Sequence, residues 1–179
     1  MSKLSPGKEY ERKFLVLSGK LPKRLPKPKS IVQGYLSLAP LQRRVRIVDG
    51  RKAILEIKGP NDREDDPVPL SLSEARELLR RHAVRNASLI RKRRYVLPSA
   101  WKGLKWEVDV FGGANQGLIM AEIETPTKRY RLDPKKFPKW LGPEVTEVAS
   151  FKNRVLAVRP FRDWTDRRRR QTLLKMRGK

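Results

Sequence analysis

The chain has 179 residues, with 43 Lys and Arg against 19 Asp and Glu, a single His, no Cys and a formal net charge of +24. Its length suits one domain with a buried core, and the lack of cysteine excludes disulfides, zinc-thiolate sites and thiol nucleophiles. The cationic excess favours polyanions, whether nucleic acid, polyphosphate or small phosphorylated molecules, but confers little specificity by itself.

No apolar run approaches the roughly 18 residues of a membrane span, and the N-terminus lacks the apolar core of a signal peptide. A cytoplasmic protein that does not engage a membrane is therefore expected. His82 sits in the helical pattern "RELLRRHAV", where a surface or helix-end role is expected rather than that of a base.

In chain order, the first element is "EYERKFLVL". Side chains alternate faces on a strand, so Glu9, Glu11 and Lys13 share one face while Tyr10, Arg12 and Phe14 take the other. A Pro/Lys connector, "PKRLPKPKS", precedes the strands "SIVQGYLSL", "RRVRIVD" and "KAILEIKGP". Here Arg44 and Arg46 oppose Val45 and Ile47, and Glu56 and Lys58 oppose Leu55 and Ile57. The segment "SLSEARELLRRHA" predicts a helix with Ser71 at its N-cap and Glu74 completing a capping box. Three strands follow, "LIRKRRYVLP", "LKWEVDVFGG" and "LIMAEIETP". Their charged faces carry Lys92 with Arg94, Glu107 with Asp109, and Glu122 with Glu124, leaving Arg91 and Arg93 outward. "KRYRL" reads as a weaker strand and "DPKKFPKWLG" as a short helix ending at Gly142. After "EVTEVASFKNRVLAV" a further helix is expected, and the block "RDWTDRRRRQTLLKMRGK" reads as a basic C-terminal tail over 161–179, behind a domain spanning 1–160. Trp101, Trp106 and Trp140 are expected to pack rather than stack on bases.

Two architectures satisfy this parity. In a sandwich the apolar faces meet and the charges meet water; in a barrel covered by helices the charges line the inside. Same-sign pairs two residues apart, acidic on three strands and basic on two, give a merely soluble surface no advantage, and this favours the barrel. Such a lumen needs neutralising, by a divalent cation on the carboxylates and a polyphosphate on the bases. Oxygen donors without His or Cys suit Mg²⁺ or Mn²⁺, and phosphoryl transfer relies on this combination of metal, cationic grip and oriented water.

The motifs "EYERKFLV", "QGYL", "RRVRI", "LEIKG", "RKRRYVLP", "WEVDVF", "AEIE", "WLGPEVT" and "SFKNRVLA" together resemble, in order, the CYTH superfamily of triphosphate tunnel metalloenzymes over roughly residues 8–158. The resemblance implies an α+β, mainly antiparallel fold: a closed eight-stranded β-barrel tunnel with helices on its outside. It implies hydrolysis of a triphosphate, inorganic triphosphate first, with Mg²⁺ or Mn²⁺. Thiamine or nucleoside triphosphatase activity, and class IV adenylate cyclase chemistry, are the alternatives within the family. A non-catalytic binder of RNA or polyphosphate, using the basic surface and tail, is the alternative outside it. Residue by residue, the resemblance implies metal ligation by Glu9, Glu11, Glu122 and Glu124, with Glu107 and Asp109 completing the set or orienting water. Lys13, Arg44, Arg46, Lys58 and Arg94 match phosphate-binding bases, as does Lys92, which with Tyr35 is also matched to water activation. The stretch "PNDREDDPVPLSLSEA" departs from the family pattern: Pro67 cannot donate to a ladder, so Asp65 is the one acid expected to point inward there. Glu56 stands where a neutral residue is expected, and pairing with Lys58 or Arg46 is its anticipated role.

Overall fold

The computed structural model describes residues 10–59 and 66–177. Glu9 and Asp65 therefore lie outside the described residues. The strands are β1 (Tyr10–Val16), β2 (Lys29–Ser37), β3 (Gln42–Val48), β4 (Lys52–Lys58), β5 (Val68–Leu70), β6 (Ile90–Pro98), β7 (Lys105–Gly112), β8 (Ile119–Thr125) and β9 (Leu141–Glu144). The helices are α1 (Leu72–Arg81), α2 (Asn153–Val158) and α3 (Asp166–Met176).

The described strands form one antiparallel sheet in the order β5-β4-β3-β2-β6-β7-β8-β1-β9. They number nine rather than the expected eight, and hydrogen bonds between described residues do not close the sheet. Two strands, β5 and β9, were not among the expected runs, and β9 falls at the end of a segment expected to be helical. Only Pro134–Lys136 turns there, as a 3₁₀ helix. Pro138 explains the difference, because proline lacks the amide proton a helix needs and steers the residue before it toward extended backbone. "KRYRL" is not a strand either; it runs irregularly and contributes Leu132 to the core.

Parity holds on every long strand. The outer face of β1, β7 and β8 buries Phe14, Val16, Trp106, Val108, Ala121 and Ile123 against Trp140 and Leu132. Its aromatic rings meet edge to face, Phe14 with Trp106 at 5.6 Å and Trp106 with Trp140 at 5.7 Å, an arrangement matched to ring quadrupoles. Helix α1 covers the outer face of β2, β3 and β4 and carries the expected capping box, Ser71 Oγ accepting from the Glu74 amide and Glu74 from the Ser71 amide. Gly34 permits this approach, since a Cβ there would lie 2.4 Å from Leu79 Cδ2.

The remaining helices depart from the expected outer position. The inward-facing Leu15, Tyr35, Ile90, Phe111 and Met120 form one apolar cluster with Leu156, Phe161, Trp164 and Met176 of the C-terminal segment. Inner positions in this part of the sheet carry apolar side chains, so α2 and α3 bury against them. The arginine block is accordingly ordered as α3 and anchored through buried Thr172 and Met176, while Arg167 and Arg170 face solvent.

Candidate active site

Pairing register brings the acids together. β1 against β8 sets Glu11 opposite Glu124 and Lys13 opposite Glu122, and β7 against β8 sets Glu107 opposite Glu122. Directly opposed like charges destabilise a sheet unless a cation intervenes. Lys13 supplies one: its Nζ is 2.7 Å from Glu11 and 2.5 Å from Glu122. Arg94 supplies another, donating from Nε to Asp109 Oδ1 at 2.7 Å and from Nη2 to Glu122 Oε2 at 2.7 Å, with a further bond to Glu107. Asp109 is fully buried, and its second oxygen accepts from Lys92 Nζ at 2.5 Å.

A second group of bases, Arg44, Arg46 and Lys58, lies on β3 and β4, apart from Lys13 on β1 and Lys92 and Arg94 on β6. Arg44 lies opposite Glu56 and forks onto it, Nε at 3.0 Å and Nη2 at 2.9 Å, while Arg46 Nε reaches the same carboxylate at 3.3 Å. Glu56 thus pairs with Arg46 as expected, and with Arg44 more closely. Arg46 Nε also donates to Gln33 Oε1 at 3.3 Å, and Gln33 Nε2 donates to the Tyr35 hydroxyl at 2.8 Å. Gln33 is wholly buried on the inner face, and sequence reasoning passed over it; its place between Ile31 and Tyr35 on one parity was the available signal. Lys58 shares this face, at the β4 position opposite Gln42.

The two walls face each other. From β3 to β1 is five steps along the strand order, about 24 Å if the sheet were flat. Yet Glu11 on β1 supports the charge of Arg44 on β3, and Lys13 on β1 acts on Tyr35 of β2. The sheet must curl strongly to bring these groups within electrostatic reach, and the inward charges then line a concavity.

The electrostatics follow from that enclosure. Burial raises the Glu11 carboxyl above its usual range, aided by Glu122 and opposed by Lys13, although 41% of the side chain is reached by solvent. Glu122 is held well below the carboxylate range: burial opposes its charge, but Lys13, Lys92 and Arg94 outweigh burial. Burial lowers Lys92, against the pull of Asp109. Tyr35 is pushed up to about 12, burial prevailing over nearby Arg44 and Arg46, so its phenol is neutral at physiological pH.

The acids fit a hard divalent cation in donor chemistry, being carboxylates with neither sulfur nor imidazole among them. Register puts Glu11 beside Glu124 and Glu107 beside Glu122, and Lys13 Nζ marks a position for positive charge between Glu11 and Glu122. Among the described residues no three acids converge tightly enough to form a cluster on their own, because Lys13 and Arg94 stand between them.

A protein named inorganic triphosphatase, from Acetivibrio thermocellus, is 34% identical to this chain over 164 residues, spanning 89% of this chain and 99% of that protein. The chain belongs to the inorganic triphosphatase family. A solved structure of the inorganic triphosphatase NE1496 shares the family architecture with it at TM-score 0.59 and 26% identity, over 84% of this chain and 94% of that one. A second structure, described as hypothetical protein NE1496, gives TM-score 0.60 at 26% identity, over 84% and 97%. No model of a known protein family matches the chain. The resemblance to the CYTH superfamily is borne out by these relatives, and the family's triphosphate tunnel fold is consistent with the curled sheet.

Proposed function

We propose that the chain is a metal-dependent triphosphatase that hydrolyses the terminal phosphoanhydride of inorganic triphosphate. The observation that carries this reading is the opposition of an acidic wall on β1, β7 and β8 to a basic wall on β3 and β4 across one concavity. The curled sheet is read as the wall of a tunnel, with its apolar end covered by α2 and α3. Arg44 and Arg46 offer planar forks to phosphate oxygens, Lys58 adds charge beside them, and Lys13 and Arg94 lie at the boundary with the acids. Glu11, Glu107, Glu122 and Glu124 would hold the cation, joined by Glu9, whereas Asp109 serves as the buried counter-ion of Lys92 and Arg94.

A divalent cation bound by these carboxylates, Mg²⁺ or Mn²⁺ by their hard oxygen donors, would neutralise phosphate charge. The chain's own groups hold the phosphates in line and offset the charge that develops on the departing pyrophosphate. Water adds to the terminal phosphorus as the bridging P–O bond breaks, releasing orthophosphate and pyrophosphate. Lys92, whose charged form is disfavoured by burial, is the group best suited to exchange a proton in that region. Tyr35 remains a neutral phenol and positions Gln33, and through it Arg46. The chain acts in the cytoplasm, and its basic surface would add non-specific attraction to polyanions.

Glu11→Ala and Glu124→Ala test the assignment. Each is expected to reduce metal-stimulated orthophosphate release at least a hundredfold, on the order of an electrostatic catalytic group. Wild-type rates in both variants would refute it.

A further inference from the structure

On the inward positions of β2, β3 and β4, Glu56 is the one acid. It is 7% exposed and lies directly opposite Arg44. Its two oxygens take the Arg44 fork at 2.9 and 3.0 Å, and one of them also meets Arg46 Nε at 3.3 Å. A carboxylate that accepts a bidentate guanidinium and touches a second occupies the geometry that two oxygens of a phosphate group would use. The other inward acids lie on β1, β7 and β8, among Lys13, Lys92 and Arg94. Glu56 therefore stands on the opposite wall, inside the basic set that the proposed function assigns to phosphate.

The geometry points to Glu56 as an internal competitor of the substrate, an affinity-setting residue that occupies Arg44 and Arg46 until a phosphate group displaces it. This inference rests on the proposed triphosphate site. Its two effects are opposed. The carboxylate holds two guanidinium groups in place without mutual repulsion, preorganising the grip. It also makes phosphate binding an exchange of one anion for another, which weakens ground-state binding and eases release of the phosphate products. Such competition lowers affinity without changing the reacting geometry, so it is read in Kd and KM rather than in the chemical step.

The test is calorimetric binding of tripolyphosphate to the full chain with divalent metal chelated, so that no turnover occurs, together with KM and kcat in the presence of Mg²⁺ or Mn²⁺. Glu56→Gln is expected to tighten Kd roughly tenfold, the scale of one charge-assisted hydrogen bond no longer contested, and to lower KM in parallel while kcat stays level or falls. Glu56→Asp keeps the charge but retracts it from Arg46, so it falls between wild type and Glu56→Gln and serves should the latter fail to fold. Glu77→Gln is the control for net charge: half-exposed Glu77 pairs only with Arg80 and Arg81 of α1 among the described residues, and its loss is expected to leave Kd unchanged. Unchanged or weaker binding in both Glu56 variants, or equal tightening in Glu77→Gln, overturns the inference. Failure of the wild type to release orthophosphate would instead strike the proposed function, while tighter tripolyphosphate binding in the Glu56 variants would still report the competition.

Discussion

Arg94 holds Asp109, Glu107 and Glu122 at once, and its charge is strengthened by those acids despite burial. Removing one partner of a buried ionic network leaves uncompensated charge, at about 3–5 kcal/mol. Arg94→Ala is accordingly expected to lower stability on that scale in denaturant titration, whereas replacing an exposed outer arginine such as Arg93 changes it by less than about 0.5 kcal/mol. Glu56 yields a prediction about pH. Burial raises its carboxyl, but the Arg44 hydrogen bonds and the charges of Arg44, Arg46 and Lys58 lower it further. A depressed folded value means that its stabilisation is complete above the unfolded pKa of about 4.3 and is lost as pH falls through the folded value. The difference in Tm between wild type and Glu56→Gln should therefore narrow as pH drops below about 4. Tyr35 is distinguished by its neutral phenol: Tyr35→Phe should lower kcat by far less than the roughly hundredfold or greater loss of a general acid or base. A full hundredfold loss would restore it to the reacting groups.

At the scale of elements, β9 and α3 carry the clearest predictions. Gly142 on β9 lies so near β1 that a Cβ would stand 2.8 Å from the Leu15 carbonyl oxygen. Gly142→Ala should therefore cost about 1–3 kcal/mol and loosen β9, measurable as faster amide exchange along Leu141–Glu144. Met176 is buried near the end of α3, so Met176→Ala should cost about 2–5 kcal/mol, where a solvated tail would show no loss. The long strands and α1 were legible because hydrophobic period and a capping box report local geometry, and strand parity placed Glu11, Arg46, Lys92 and Glu122 on one face. β9 was not, because its pairing with β1 is a long-range choice and its four residues, "LGPE", carry little pattern. The order of α3 was hidden for a related reason: its arginines read as a charge run, while its anchors Thr172 and Met176 are only two among eleven residues. Parity likewise could not tell which inner positions meet each other, so the Arg44–Glu56 fork and the bonding of Arg94 to three acids emerged only in the fold.

Across the whole molecule, the charge of +24 and the opposed walls act at different ranges. The surface excess attracts polyanions from a distance and is screened over about 8–10 Å at physiological salt, so association should slow as salt rises. The curled sheet acts at contact, where an enclosed acidic wall and a basic wall are jointly satisfied by a cation and a chain of phosphates. Among the described residues no helix is long and apolar enough to cross a membrane. Metal-dependent hydrolysis of triphosphate is tested by phosphorus NMR of tripolyphosphate incubated with the purified chain and Mg²⁺ or Mn²⁺, with ATP in a parallel sample. Each tripolyphosphate is expected to yield one orthophosphate and one pyrophosphate, only while the metal is present. Intact tripolyphosphate in both metals, or cyclic AMP and pyrophosphate from ATP as the sole reaction, would contradict it.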